Sequence, residues 1–151
     1  MDEGAAEVID ETAVTARLIA DEGEVLHCYL DHLGYATIGV GVLIDERKGG
    51  GITQEESRYL FRNRLGTKLA QCSNKFEWWQ AIDDVRRGVI VCMAYQLGVN
   101  GVANFKKMCA ALRIRDYNVA AAEMLDSQWA REQTPARANR MAKIMRSGIW
   151  E

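Results

Sequence analysis

From Thr12 the chain takes on a helical hydrophobic pattern. Val14 and Leu18 are i, i+4 neighbours, and Glu22 falls on the same face one turn later. Gly23 follows as a natural C-terminal cap. Partial burial at the end of this apolar stripe would keep the Glu22 carboxyl protonated near neutral pH. The competing reading is a solvated glutamate in the acidic run Asp21-Glu22-Gly23-Glu24, because charged residues at helix ends are usually hydrated. Residues 1–11 are acidic, weakly patterned, and read as a tail or linker end.

The period then changes from helix to strand. Tyr29-Leu30, a turn around Asp31-His32-Leu33-Gly34, and the run from Tyr35 to Ile44 predict a β-hairpin. In its second strand Tyr35, Thr37, Gly39 and Gly41 share one face, and Ala36, Ile38, Val40 and Val42 form an expected core face. The first face is stripped to small residues, as expected where a ligand must approach the backbone, with Thr37 at its open start. Arg47-Lys48-Gly49-Gly50-Gly51 reads as a flexible loop, and it lacks the G-K-[ST] ending of a phosphate loop.

The remainder is helical in pattern. Thr53-Gln54-Glu55-Glu56 fits a capping box and opens a helix to about Leu65. Val89 to Tyr95 is apolar all round, and the length from Asp83 to Leu97 favours a central helix over a buried strand. Gly98 and Gly101 bracket a turn, followed by helices over Phe105 to Leu112 and Asp116 to Trp129. Thr134-Pro135 starts the last helix, with Thr at the N-cap and Pro at its first position. Its apolar stripe is Ala138, Met141, Ala142 and Met145, with Arg140, Lys143 and Arg146 facing away. The organisation predicted is a tail over 1–11 and one α+β domain over 12–151. Within it lie a β-containing part at about 24–52, a linking helix at about 53–65 and a helical part at about 66–151.

Composition adds boundaries to this picture. A chain of 151 residues with 48% hydrophobic and 26% charged residues has the make-up of a single globular domain with a sizeable core. No apolar run approaches the ~20 residues of a membrane span, and Met1-Asp2-Glu3 does not open a secretory signal, so no stable membrane insertion is expected and synthesis is expected in a cytoplasm. Cys28, Cys72, Cys92 and Cys109 have no C-x-x-C spacing and no histidine at ligand distance, so buried free thiols are expected rather than a zinc site. Residues 1–31 hold nine acids against one base, which leaves the other 120 residues at +6 in a chain of net charge −2. A basic patch facing an acidic polymer fits that asymmetry, but the excess is too small to mark a nucleic-acid binder.

The candidate chemistry is Glu22, Asp31 nine residues on, and Thr37 six residues further. Two carboxyls and a small hydroxyl beside glycines are the parts needed to hydrolyse a glycosidic bond. One carboxyl protonates the departing oxygen, and the other activates water on the opposite face of the sugar. His27 and His32 lack partners at triad spacing and read as exposed, while Trp78-Trp79 reads as packing rather than a sugar platform. A helical adaptor binding nucleic acid or anionic lipid through Arg137, Arg140, Lys143 and Arg146 is the rival from another class. Such runs are usually a solvated face.

Three blocks in order resemble the T-even phage-type lysozymes. Asp21-Glu22-Gly23 through Asp31 to Thr37-Ile38-Gly39-Val40-Gly41 is similar to their catalytic segment. Asp84-Val85-Arg86-Arg87 through Tyr95-Gln96-Leu97-Gly98 and Gly101-Val102-Ala103-Asn104-Phe105 resembles their central helix and the turn after it. Gln133-Thr134-Pro135-Ala136-Arg137 through Gly148-Ile149-Trp150 resembles their C-terminal region. The resemblance implies a lysozyme-like fold, with a small β-containing lobe, a larger helical lobe and a cleft between them. It implies a monomeric muramidase that cuts the β-1,4 bond after N-acetylmuramic acid in peptidoglycan, with no cofactor or metal.

In that family's terms Glu22 is the general acid, Asp31 and Thr37 hold the attacking water, and Arg137 pairs with the catalytic glutamate. Gly41, Leu43, Tyr95 and Gln96 fall where the family lines its cleft. Arg137 would favour an ionised Glu22 whereas a general acid must start protonated, so burial of Glu22 has to oppose it. Val42 stands where many members have a histidine, which removes a structural ion pair rather than chemistry. The loop from Asp45 to Ile52 is short beside the best-known member, and the tail before Thr12 has no family counterpart. The protein would be made in a host bacterial cytoplasm and act on periplasmic peptidoglycan, as a free endolysin released through a holin or as a virion tail enzyme. A lysozyme-fold protein that binds peptidoglycan without cutting it is the alternative.

Overall fold

The computed structural model describes residues 10–150, in two compact units that meet in sequence between Arg58 and Tyr59. Residues 1–9 of the expected tail lie outside the described residues. Asp10 and Glu11 are not tail. Asp10 caps helix α1 (Glu11–Glu22) by accepting from the Ala13 amide at 3.0 Å.

The first unit continues from α1 into β1 (Val25–Leu30), β2 (Ala36–Gly39) and β3 (Val42–Leu43), an antiparallel sheet in the order β1-β2-β3. The expected unbroken strand from Tyr35 to Ile44 is two strands. Gly39 and Gly41 both have positive φ, +66° and +63°, and turn the chain so that Ile38 pairs with Val42 and Thr37 with Leu43. The expected core face is also corrected. Thr37 is only 5% exposed, whereas Ile38 and Val42 are exposed, because so small a sheet cannot cover both of its faces.

Helix α2 (Gln54–Lys75) opens with the predicted capping box: the Glu56 carboxylate accepts from the Thr53 amide and hydroxyl, and Thr53 Oγ1 accepts from the Glu56 amide. It runs well past Leu65, because a lone Gly66 weakens a helix by only ~1 kcal/mol and no proline stops it.

The second unit holds the whole hydrophobic core, from Cys72 to Met145. Asp83 caps α3 (Asp84–Ala103), whose Val89 to Val91, Met93 and Ala94 are all buried, as the apolar run predicts. Gly98, at φ +75° and ψ 159°, breaks α3 inside its length, and the helix resumes beyond it. Then come α4 (Lys106–Arg113), α5 (Tyr117–Leu125), a π-helical turn (Trp129–Gln133) and α6 (Pro135–Ser147). Met108, Leu112, Met124 and Met145 are fully buried on α4, α5 and α6, where α5 packs on both α4 and α6. Trp78 and Trp79 are core residues, with Trp78 stacked on Phe76 at 4.7 Å. Cys72 and Cys109 are buried free thiols as expected, but Cys28 on β1 and Cys92 on α3 are exposed. Burial pushes the Cys72 thiol up to about 11, so it is an inert core residue.

Candidate active site

Glu22 is the last residue of α1, and Gly23 ends the helix with its amide donating to the Ile19 carbonyl at 3.0 Å. The apolar stripe of Val14 and Leu18 does form one helix face, but α1 has no buried residue and Glu22 itself is exposed. The first unit by itself therefore does not supply the burial expected for this carboxyl. What it supplies is close approach by the β2–β3 turn. A Cβ placed on Gly41 would lie 3.4 Å from Glu22 Oε2, and Gly41 also needs its positive φ. Glycine at 41 thus keeps the space beside the carboxyl open.

Asp31 organises the predicted turn. Its Oδ1 accepts from the Leu33 amide at 2.9 Å and the Tyr35 amide at 2.8 Å, while its own amide donates to the Tyr35 carbonyl at 2.9 Å. The Tyr35 amide holds the carboxyl below its ordinary value, with help from the Leu33 amide and the nearby His32, while desolvation works the other way. Oδ2 has no hydrogen bond among the described residues. Tyr29 pairs with Thr37 and Leu30 with Ala36, so Asp31 stands opposite Tyr35, two residues from Thr37. Residues two apart share a strand face, so Asp31 and Thr37 are diagonal neighbours on one side of the hairpin. Thr37 Oγ1 donates to the Tyr35 carbonyl at 3.3 Å, which fixes the hydroxyl and leaves its lone pairs free.

This geometry has a measurable pH consequence. A depressed pKa means that the ionised form stabilises the turn. That contribution is fully present above the ordinary value of 3.8 and is lost as pH falls through the lowered one. A carbon-13 carboxyl titration by NMR should place the Asp31 midpoint below 3.8. A midpoint at or above that value would show that the turn amides do not hold the charge.

The loop after Leu43 is tied rather than slack. Asp45 accepts from the Arg47 amide at 2.8 Å and the Gly51 amide at 3.0 Å, and it forms a two-pronged pair with the Arg47 guanidinium. The guanidinium and these amides hold its carboxyl well below the usual carboxylate range. A side chain at Gly50 would collide with that carboxylate. Sequence reasoning missed Asp45, although an acid two residues before Arg47 and six before Gly51 is the signal for such a loop.

In the second unit, Gln96 is committed to protein partners. Its Oε1 accepts from Trp129 Nε1 at 3.0 Å and Arg137 Nη1 at 3.1 Å, and its Nε2 donates to Thr134 Oγ1 at 3.4 Å. Thr134 does occupy the N-cap position of α6, but its side chain makes no capping bond there. Gln96 thus ties α3 to the π-helical turn and to the first turn of α6, and it fixes the direction of the Arg137 guanidinium. Trp129 and Thr134 complete this network; in the sequence Thr134 stood out only as the residue before Pro135, and Trp129 only as the end of the preceding helical stretch. Tyr95 is 51% exposed, with its ring 5.7 Å from that of Phe61. Both line a pocket of about 290 Å3 together with Cys92, Arg137 and Met141. Leu43, in the first unit, is exposed on β3 opposite Thr37.

The phage lysozyme family model matches residues 20–143. Probable T4-type lysozyme 1 of Dictyostelium discoideum is 32% identical, with 85% of this chain and 90% of that protein covered. The pre-baseplate central spike protein Gp5 of Enterobacteria phage T4 is 33% identical over 87% of this chain, and the chain spans only 27% of that protein. Probable T4-type lysozyme 2 of Dictyostelium discoideum is 27% identical over a similar span.

Proposed function

Because the chain belongs to the phage lysozyme family, we propose that it is a muramidase hydrolysing the β-1,4 bond between N-acetylmuramic acid and N-acetylglucosamine. Peptidoglycan lysis by a glycoside hydrolase is the activity that membership carries, and the bond and the mechanism are our reading. Glu22 is the general acid that protonates the leaving oxygen. Asp31 Oδ2 and Thr37 Oγ1 hold the water that attacks the sugar carbon from the other side, so the displacement is single and inverts the anomeric centre.

The observation that carries the reading is the division of labour at Asp31. One carboxylate oxygen accepts from two backbone amides and the other has no hydrogen bond among the described residues, on the hairpin whose second strand carries the fixed Thr37 hydroxyl. A carboxylate held rigid and ionised suits the orientation of a water. Gly41, Leu43 and Tyr95 are assigned to the sugar side of the site. Arg137, steered by Gln96, is assigned to support of the catalytic acid. Gln96 itself serves chiefly through that steering, since its amide is largely used.

The likeness to the central spike protein supports a virion tail association, with holin-dependent release of a free endolysin as the other route to the periplasm. A turbidity assay on purified bacterial cell walls tests the function. The protein should clear the suspension, and a suspension that stays turbid while the protein sediments with the walls would instead favour a non-cutting peptidoglycan binder.

A further inference from the structure

Both groups assigned to the attacking water hang on the backbone of Tyr35. Its amide donates to Asp31 Oδ1 at 2.8 Å, and its carbonyl accepts from the Asp31 amide at 2.9 Å and from Thr37 Oγ1 at 3.3 Å. The loop after β3 closes on Tyr35 and on its two chain neighbours. At the base of the loop the Ile44 amide donates to the Ala36 carbonyl at 2.8 Å. Its middle is fixed by Asp45, which gathers the Arg47 and Gly51 amides and the Arg47 guanidinium, and by the Gly50 amide donating to the Arg47 carbonyl at 3.0 Å. Lys48, at the tip, turns back over the hairpin. Its Nζ stands 5.5 Å from the centroid of the Tyr35 ring, and a Cβ on Gly34 would lie 3.5 Å from the same atom. A cation within ~6 Å of an aromatic face is attracted by the quadrupole of the ring. Lys48 is in no ion pair among the described residues, so the ring is not competing with a carboxylate for the ammonium.

We propose that Lys48 is a positioning residue for the reaction: stacked on the Tyr35 ring, it holds the backbone groups that fix the Asp31 carboxyl and the Thr37 hydroxyl. The inference rests on the muramidase reading above, in which those two groups hold the attacking water, and it adds a residue which that reading leaves without a role. A water held between two groups attacks efficiently only while both keep their places, and a displacement of ~1 Å can cost ~10²-fold in rate. The hairpin cannot fix them by packing alone. Its sheet has three short strands, Ile38 and Val42 are exposed, and every residue of the hydrophobic core lies in the other unit. Tyr35 therefore has to be held from beside the sheet, and the loop does so at Gly34, Tyr35 and Ala36 together. Gly49 takes a positive φ of +75° directly after Lys48, which lets the chain reverse there and return to Asp45.

The test uses the full chain with Lys48→Met, read by steady-state kinetics on a soluble peptidoglycan fragment and by carbon-13 titration of the Asp31 carboxyl. The variant should lower kcat about threefold, the scale of one exposed cation–π contact, and leave KM unchanged. The Asp31 midpoint should rise toward 3.8, because a looser Tyr35 amide holds the charge less well. Lys48→Arg, which can also stack on the ring, should restore both readings. Tyr35→Leu removes the ring and leaves the Lys48 charge and His32 in place, and it should raise the midpoint likewise. Lys48→Met added to Tyr35→Leu should then change nothing further. An unmoved midpoint overturns the proposal. So does a midpoint that answers to Lys48→Met but not to Tyr35→Leu, since that would be the loss of a nearby charge and not of a contact. A rise in KM with kcat unchanged also overturns it, in favour of a Lys48 that meets substrate directly. Failure of the native chain to clear cell walls would sink the muramidase reading instead, and the Asp31 midpoint would still decide whether Lys48 acts through Tyr35.

Discussion

Glu22→Gln should abolish wall lysis and leave the fold and its melting temperature nearly unchanged. The substitution keeps the size of the side chain and removes the proton that the departing sugar oxygen needs. General acid–base groups contribute ~10²–10⁴-fold to rate, and the upper end applies where the leaving group is a poor alkoxide. Little packing is at stake, because Glu22 is exposed at the end of α1 and its nearest constraint is the glycine at position 41. The measurement is the initial rate of turbidity loss beside a thermal melt of the same sample. More than a tenth of native activity in a folded variant would remove Glu22 from the acid's role.

Arg86→Ala should cause a large loss of stability with no direct effect on chemistry. Arg86 stands in the first turn of α3, and its guanidinium fastens the end of the last helix. Nε donates to the Met145 carbonyl at 2.9 Å and Nη2 to the Arg146 carbonyl at 3.0 Å, two of the carbonyls that α6 leaves unpaired at its C-terminus. Nη1 pairs with Asp83 Oδ2 at 2.7 Å, and the guanidinium carbon lies 3.6 Å from the Tyr117 ring centroid. Gly148 leaves room for it, since a Cβ there would meet the guanidinium at 2.6 Å. Two charge-assisted bonds and a stacked cation on a mostly buried side chain amount to about 3 kcal/mol. For a chain of this size that corresponds to a fall of about 10 °C in melting temperature. A fall of less than about 3 °C would mean that solvent replaces these bonds at little cost. Arg86→Lys should recover only part of the loss, because an ammonium cannot reach both carbonyls and stack on the ring together.

The features legible in the sequence are those in which local chemistry dictates local structure. Thr53 with Glu56 gave the start of α2, Thr134-Pro135 the start of α6, and the run from Val89 to Tyr95 the buried central helix. The Asp31 turn was legible because an aspartate followed three residues later by a glycine reads as a turn. Strand breaking at Gly39 and Gly41 was not, since a small-residue platform and a hairpin turn use the same glycines. The sign of φ that separates them is not written in composition. The length of α2 was missed for a related reason: Gly66 looks like a stop, and only the continuation to Lys75 shows that it is tolerated. Partnerships over long separations were invisible. Arg86 bonds residues 59 and 60 positions away, and Gln96 gathers Trp129, Thr134 and Arg137 from 33 to 41 positions away. The family resemblance placed Gln96 where a sugar would be met, and its partners in the fold turn it toward holding Arg137.

The inverting water mechanism is tested most directly by the anomer first released. A retaining enzyme needs its second carboxyl ~5–5.5 Å from the first so that it can attack the sugar carbon, whereas an inverting one leaves ~6.5–9.5 Å for water. An Asp31 anchored through Oδ1, on the hairpin that also carries the Thr37 hydroxyl, suits the second arrangement. Early-time proton NMR on a soluble peptidoglycan fragment, recorded before mutarotation equilibrates the product, reads the outcome. The expected first product is an N-acetylmuramic acid reducing end in the α configuration. A β-anomer appearing first would make Asp31 the nucleophile and leave Thr37 without a role in the reaction.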